Sequence, residues 1–183
     1  MLDTIKTQIQ KITSSELIIE KETIQNLWSG YGQIVRCQVE KGIVPSVVVK
    51  HIKLAKTENQ LRGWNSSISH ERKLKSYEIE THWYQYFNDR CDDSCRIPKC
   101  FGVTHEEDTV IIVLEDLNAS GFPVRKDQVN MSEIKACLRW LANFHATFMN
   151  VKPQGLWPVG TYWHLATRPE ELDVLNDAKL KSA

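Results

Sequence analysis

The chain has no stretch apolar enough to cross a bilayer. Its longest unbroken aliphatic run is Val110 to Leu114, whereas a spanning helix needs roughly 20 such residues. The opening residues, Met1-Leu2-Asp3-Thr4-Ile5-Lys6, lack the apolar segment of a secretory leader. Neither sign of charge is in excess: Lys plus Arg and Asp plus Glu both number 23. Nothing therefore draws the protein electrostatically to nucleic acid or to an anionic membrane, and neither is expected as a partner. Cysteines are few and odd in number, at five. Cys91, Cys95 and Cys100 lie near His105, but their spacing does not match a zinc knuckle, so no metal ligands are assigned here. Reduced thiols and a cytoplasmic location are the expectation. Internal repeats and low-complexity segments are also missing.

What is present suits a soluble globular fold: 42% hydrophobic and 25% charged residues. A length of 183 residues allows one ordinary domain or two small lobes. Helical spacing of Leu2, Ile5, Ile9 and Ile12 predicts a short helix over 2–12. Residues 16–28, 33–40 and 44–52 are rich in Ile and Val and read as strands, separated by Ser29-Gly30-Tyr31-Gly32 and Lys41-Gly42. A polar loop covers 54–69, and Ser69 is placed to cap a helix from His70 to Asn88. Strands follow over Ile97–Val103 and Thr109–Glu115, then a break at Gly121-Phe122-Pro123 and a helix from Ser132 to Asn150. Residues 151–168 read as irregular, and a last helix starts at Pro169. The order, three strands, one helix, two strands and then helix, is α+β: a small five-stranded antiparallel sheet crossed by one helix.

Lys50 closes the run Val47-Val48-Val49. A lysine ending an apolar β-branched run is costly to bury unless an anion meets it. Two anions are on offer. One is Glu80, which falls near the middle of the helical face formed by Leu74, Tyr77, Trp83, Tyr84 and Phe87. A carboxylate there needs a cation, and Lys50 is the natural one. The other is a phosphate held by the turn containing Gly30 and Gly32, where missing side chains let backbone N–H groups come close. Glycine turn, strand lysine and helix glutamate, in that order, are parts of a kinase ATP site. Each also has a plain reading: a hairpin, a lysine reaching water, an edge glutamate.

Val110-Ile111-Ile112-Val113-Leu114 runs into Glu115-Asp116-Leu117. Such a strand end offers main-chain groups to an adenine edge, or is simply a strand end with two solvated acids. In the helix 132–150, Ile134, Cys137, Leu138, Trp140, Leu141, Phe144, His145 and Phe148 cover a wide apolar arc. That arc belongs to a helix buried in a larger layer, with His145 a core histidine. Left uncovered, it is a route to self-association.

Five segments, in order, carry a resemblance: Leu27-Trp28-Ser29-Gly30-Tyr31-Gly32, Val48-Val49-Lys50, Ser76-Tyr77-Glu78-Ile79-Glu80-Thr81-His82-Trp83-Tyr84, Val113-Leu114-Glu115-Asp116-Leu117-Asn118 and Trp140-Leu141-Ala142-Asn143-Phe144-His145-Ala146. With them the chain resembles the aminoglycoside phosphotransferase and choline kinase superfamily, and within it the ecdysteroid kinase-like branch. The resemblance implies a protein kinase-like N-lobe over 1–116, then a hinge and the start of a helical C-lobe over 117–183. It implies that Lys50 contacts the ATP α- and β-phosphates, that Glu80 orients Lys50, and that Glu115 and Leu117 supply hinge main-chain groups to adenine. Gly30 and Gly32 then line the phosphates.

The superfamily's catalytic loop reads His-Gly-Asp, with Asn five residues after the Asp. None of the six histidines here precedes Gly-Asp; at the faintly similar Asp177, Leu175-Asn176 stands before it and Ser182 where Asn would be. The general base and the Mg²⁺ ligands are therefore expected beyond residue 183, or lost, and no catalytic residue is assigned in this chain. The implied function is ATP-dependent transfer of the γ-phosphate to a hydroxyl of a small metabolite, present without its catalytic loop. The alternative is a non-catalytic nucleotide- or partner-binding module that keeps the N-lobe.

Overall fold

The structure, a computed structural model, describes residues 3–27, 30–54, 67–106 and 108–159 together with 164, 167 and 168. Helix α1 (Asp3–Thr13) leads into β1 (Leu17–Asn26), β2 (Gly32–Glu40) and β3 (Ser46–Lys53). Helix α2 (Ser67–Tyr86) follows, then two single-turn 3₁₀ helices at Asn88–Arg90 and Asp93–Cys95. Strands β4 (Cys100–Glu106) and β5 (Thr109–Glu115) complete the sheet, and α3 (Met131–Phe148) comes last. The expected α+β architecture is present. The five strands lie in the order β1-β2-β3-β5-β4, and every neighbouring pair is antiparallel.

The three valines of β3 are continuous because the sheet is covered on both faces. Val47 and Val49 point to one side, where they pack with Ile5 and Ile9 of α1 and with Val35, Ile111 and Val113. On the other side Ile52, Val110 and Ile112 meet Tyr77, Leu74 and Tyr84 of α2. Lys50 belongs to this second face, opposite Ile34 of β2 and Ile112 of β5. Alternation along the strand thus delivers Lys50 to the α2 side of the sheet, beside Ile52 and Ile112.

Several boundaries differ from expectation. Helix α2 begins at Ser67, so Ser69 lies inside its first turn and is not the cap. Strand β4 begins at Cys100 rather than Ile97. Pro98 has no N–H for a ladder, and the preceding segment is held differently: the Asn88 side-chain amide donates to the Pro98 carbonyl at 3.0 Å and accepts from the Cys100 N–H at 3.0 Å. Helix α3 starts one residue early behind a capping box, in which the Asn130 side chain accepts from the Ser132 and Glu133 N–H groups and Glu133 accepts from the Asn130 N–H.

The wide apolar arc of α3 divides in two. Trp140, Phe144 and Phe148 stack along one side, and the last two face Trp83 of α2. Ile134, Leu138 and Leu141 are exposed, and so is His145. His145 is therefore not a core histidine, because no described element covers that half of the helix. Leu2, Trp28, Ser29, most of the expected 54–69 loop, the helix expected from Pro169 and the comparison around Asp177 lie outside the described residues.

His51, one residue after Lys50, points to the α1 side and is buried, and its Nε2 has no partner among the described residues. Burial, then the charge of Lys53, pushes its pKa below the usual 6.5. The unfolded chain then binds the proton more readily, so stability is complete above that value and falls as pH drops below it. Urea midpoints compared at neutral and mildly acidic pH are expected to drop for the wild type, and to drop less for His51→Leu.

Candidate functional site

The Lys50 ammonium donates to both Glu80 carboxylate oxygens, at 2.6 and 2.7 Å. The two side chains are 15% and 30% exposed, so the pair is shielded but not sealed. Lys50 comes from the sheet and Glu80 from the middle of α2, as the face of Leu74, Tyr77, Tyr84 and Phe87 requires. Tyr77 lies beneath the pair, with its ring centre 5.5 Å from the Lys50 nitrogen. Tyr84 stands beside it. Burial, the Glu80 charge and then Cys100 push its hydroxyl up to about 12, so it stays a neutral donor.

The pair forms part of the wall of a cavity of about 820 Å³, within the range of small-molecule pockets. Gln25 and Leu27, from the end of β1, form another side. Helix α2 contributes Lys73, Ser76, Tyr77, Ile79, Glu80, Trp83 and Tyr84. The segment after α3 supplies Pro153, Leu156, Trp157 and Pro158. That strap is held to α2 by close approach. At Gly155, with φ +74°, a Cβ would come within 2.3 Å of the His82 Nε2, so only glycine lets the strap lie against the ring.

The glycine turn closes tightly. Gly32 accepts from the Leu27 N–H at 2.9 Å, and the Gly30 N–H donates to Leu27 at 3.3 Å. Gly32, at φ +129°, has no room for a side chain: a Cβ would stand 2.0 Å from the His51 carbonyl oxygen. Gly30, at φ +76°, faces open space. Tyr31, between them, does not reach solvent. It is buried against α2, its hydroxyl 2.6 Å from His70 Nδ1 and its ring stacked on the His70 imidazole.

Neither acid at the end of β5 is a solvated strand-end acid. Glu115 accepts from Arg96 at 2.7 Å and from the Lys99 N–H at 3.1 Å. Burial raises its pKa, but the bonds from Arg96, Ser120 and Lys99 and the Arg96 charge outweigh that and hold it at about 2. Asp116 is buried, and one oxygen accepts from Arg36 and Ser46, both at 2.9 Å. In the main chain, the Glu115 N–H donates to Lys99 and the Leu117 carbonyl accepts from Phe122. Glu115 and Leu117 are not among the residues that line the cavity.

Three residues were not singled out from the sequence: Tyr31, His70 and Lys73. Lys73 lies seven residues before Glu80, on the same helical face, and that spacing is a signal the sequence carries. Its ammonium sits 4.8 Å from the centre of the Tyr77 ring. Burial, then the nearby Lys50 charge, lowers its pKa below the usual lysine value, while Glu80 opposes the shift. Among the described residues no group of three or more His, Cys, Asp or Glu is placed to hold a metal ion. The one carboxylate in the cavity is taken up by Lys50, so these residues do not fit a Mg²⁺ site and no step is derived through one.

A twisted antiparallel sheet with a strand lysine bound to a helix glutamate beside a glycine turn is compatible with the N-lobe of a kinase-like phosphotransferase. The family model described as the ecdysteroid kinase-like family matches residues 44–155, and the chain belongs to that family. A comparison with curated proteins finds no match. No described helix is long and apolar enough to cross a membrane.

Replacing Lys50 with Met leaves Glu80 shielded without a cation, and an expected loss of about 1–3 kcal/mol follows from the unpaired charge. Replacing both residues, as Lys50→Met with Glu80→Leu, is expected to recover most of that loss. Chemical denaturation of the two single variants and the double variant measures the coupling.

Proposed function

We propose that this chain carries the nucleotide-binding half of an ATP-dependent small-molecule kinase, which moves the γ-phosphate of ATP to a hydroxyl of a small metabolite. The observation that carries the reading is the bidentate Lys50–Glu80 pair set in the wall of a cavity beside the glycine turn. On this reading residues 1–116 act as the N-lobe, and 117–183 as the hinge and the start of the helical lobe. Glu80 holds the Lys50 ammonium at a fixed point, where it meets the α- and β-phosphates as a point charge. The open side of Gly30 gives the phosphates close access to main chain. The Glu115 N–H and the Leu117 carbonyl are engaged within the fold. On this reading Glu115 and Leu117, at the end of β5, offer main-chain groups to the adenine edge. What the chain contributes to catalysis is positioning and charge neutralisation.

The apolar side of the cavity, with Leu27, Ile79, Trp83 and Trp157, favours a ligand with a substantial non-polar body beside its phosphates. The sequence carries no His-Gly-Asp, and on this ground a binding module without turnover is the second reading. Both readings require the nucleotide site, and they part at turnover.

Calorimetric titration of the 183-residue chain with ATP is expected to show binding that Lys50→Ala weakens by at least about tenfold. Unchanged affinity in that variant would remove the nucleotide reading. The purified chain is expected to release no phosphate from ATP with any alcohol acceptor, since no general base is assigned within it. Turnover that disappears in Lys50→Ala would show that a base is present after all.

A further inference from the structure

We propose that Lys73 is a second phosphate-binding cation of this cavity, meeting the terminal phosphates of a nucleoside triphosphate from the α2 side. The inference rests on the nucleotide reading above and deepens it. Three observations carry it. First, Lys50 is not a free charge: both oxygens of Glu80 hold it, and the pair is neutral as a unit. Among the described residues, Lys50, Glu80 and Lys73 are the charged side chains that line the cavity. Lys73 forms no ion pair among the described residues, so of these lysines it is the one whose ammonium no carboxylate contacts. A half-buried ammonium without a counter-ion is a place where an anion is strongly favoured.

Second, the two lysines attend the same ring. The Lys73 nitrogen lies 4.8 Å from the centre of Tyr77 and the Lys50 nitrogen 5.5 Å. The two ammonium groups are therefore within roughly 10 Å of each other, close enough for one polyphosphate chain to bridge them. Third, the glycine turn is fastened to the same end of α2. Tyr31 bonds to His70, which precedes Lys73 by one helical turn. The turn and Lys73 thus approach the phosphate tail from neighbouring directions. The lowered pKa of Lys73 agrees with an ammonium that lacks its anion.

The test uses the full chain and reads binding of ATP, AMP and inorganic pyrophosphate by calorimetry. Lys73→Met, which keeps the stem on Tyr77, is expected to weaken ATP by about tenfold or more while leaving AMP nearly unchanged. Lys73→Arg is expected to retain ATP binding. Wild-type affinity for ATP is expected to decline with rising pH below the usual lysine range, as Lys73 loses its proton, and Lys73→Met to lose that dependence. If Lys73→Met binds ATP as the wild type does while Lys50→Ala weakens it, Lys73 only packs on Tyr77; the proposal falls and the nucleotide reading stands. If the wild type ignores ATP but binds pyrophosphate, and Lys73→Met abolishes this, Lys73 stands as an anion site and the nucleotide reading falls. If the wild type binds none of the probes, both fall. Should Lys73→Met fail to fold, Lys73→Gln is read in its place, and ATP affinity equal to that of the wild type overturns the proposal.

Discussion

The Lys50–Glu80 ion pair is the constraint from which the rest of the site takes its position. A lysine in the covered face of a sheet demands a carboxylate, and the carboxylate fixes how α2 turns about its own axis. A rotation by one residue would swing Glu80 through about 100° and expose Tyr77, which packs with Ile52 and Ile112. The pair and the apolar face therefore specify the same orientation. Hydrophobic packing brings α2 onto the sheet, and the charge pair selects one of the ways in which it can lie there.

With its rotation set, α2 serves as a post to which two other parts are tied. The glycine turn is tied near its start, through Tyr31 and His70. The strap after α3 is tied near its end, where Gly155 lies against His82. The cavity is the space left between these two attachments, with Lys50 and Glu80 between them. Its two rims come from segments far apart in sequence, and both depend on a glycine: Gly32, which has no room for a side chain beside His51, and Gly155, which has none beside His82.

Those parts of the site that depend on periodicity could be read from the sequence. Alternation placed Lys50 on one sheet face, and helical spacing placed Glu80 on the matching face, so their meeting followed. The five-stranded antiparallel sheet was legible for the same reason. Features set by contacts between distant segments were not. Tyr31 between two glycines reads as an exposed loop tip, and only the approach of α2 buries it. The strap reads as irregular sequence, and nothing local says that Trp157 faces the cavity. His145 shares a helical arc with Phe144 and Phe148, but periodicity alone does not say how much of an arc finds a partner. Pro98 did carry the signal that moves the start of β4, because a residue without an N–H is ill suited to a ladder. Lys73 was also available by spacing, but its meaning depends on Glu80 being already engaged.

Arg96 links the C-terminal end of β5 to the helix beyond it. Its guanidinium holds Glu115 and lies over the ring of Phe122, and its carbonyl accepts from Trp140 Nε1 of α3. Asn143 adds a second bond from α3 to the Ser94 carbonyl. Helix α3 is thus anchored close to the Glu115 end of β5, while the strap that continues from it reaches across to the cavity lined by Lys50 and Glu80. The place of Trp157 in the cavity wall therefore depends, through α3, on bonds made by Arg96, a residue that does not line the cavity.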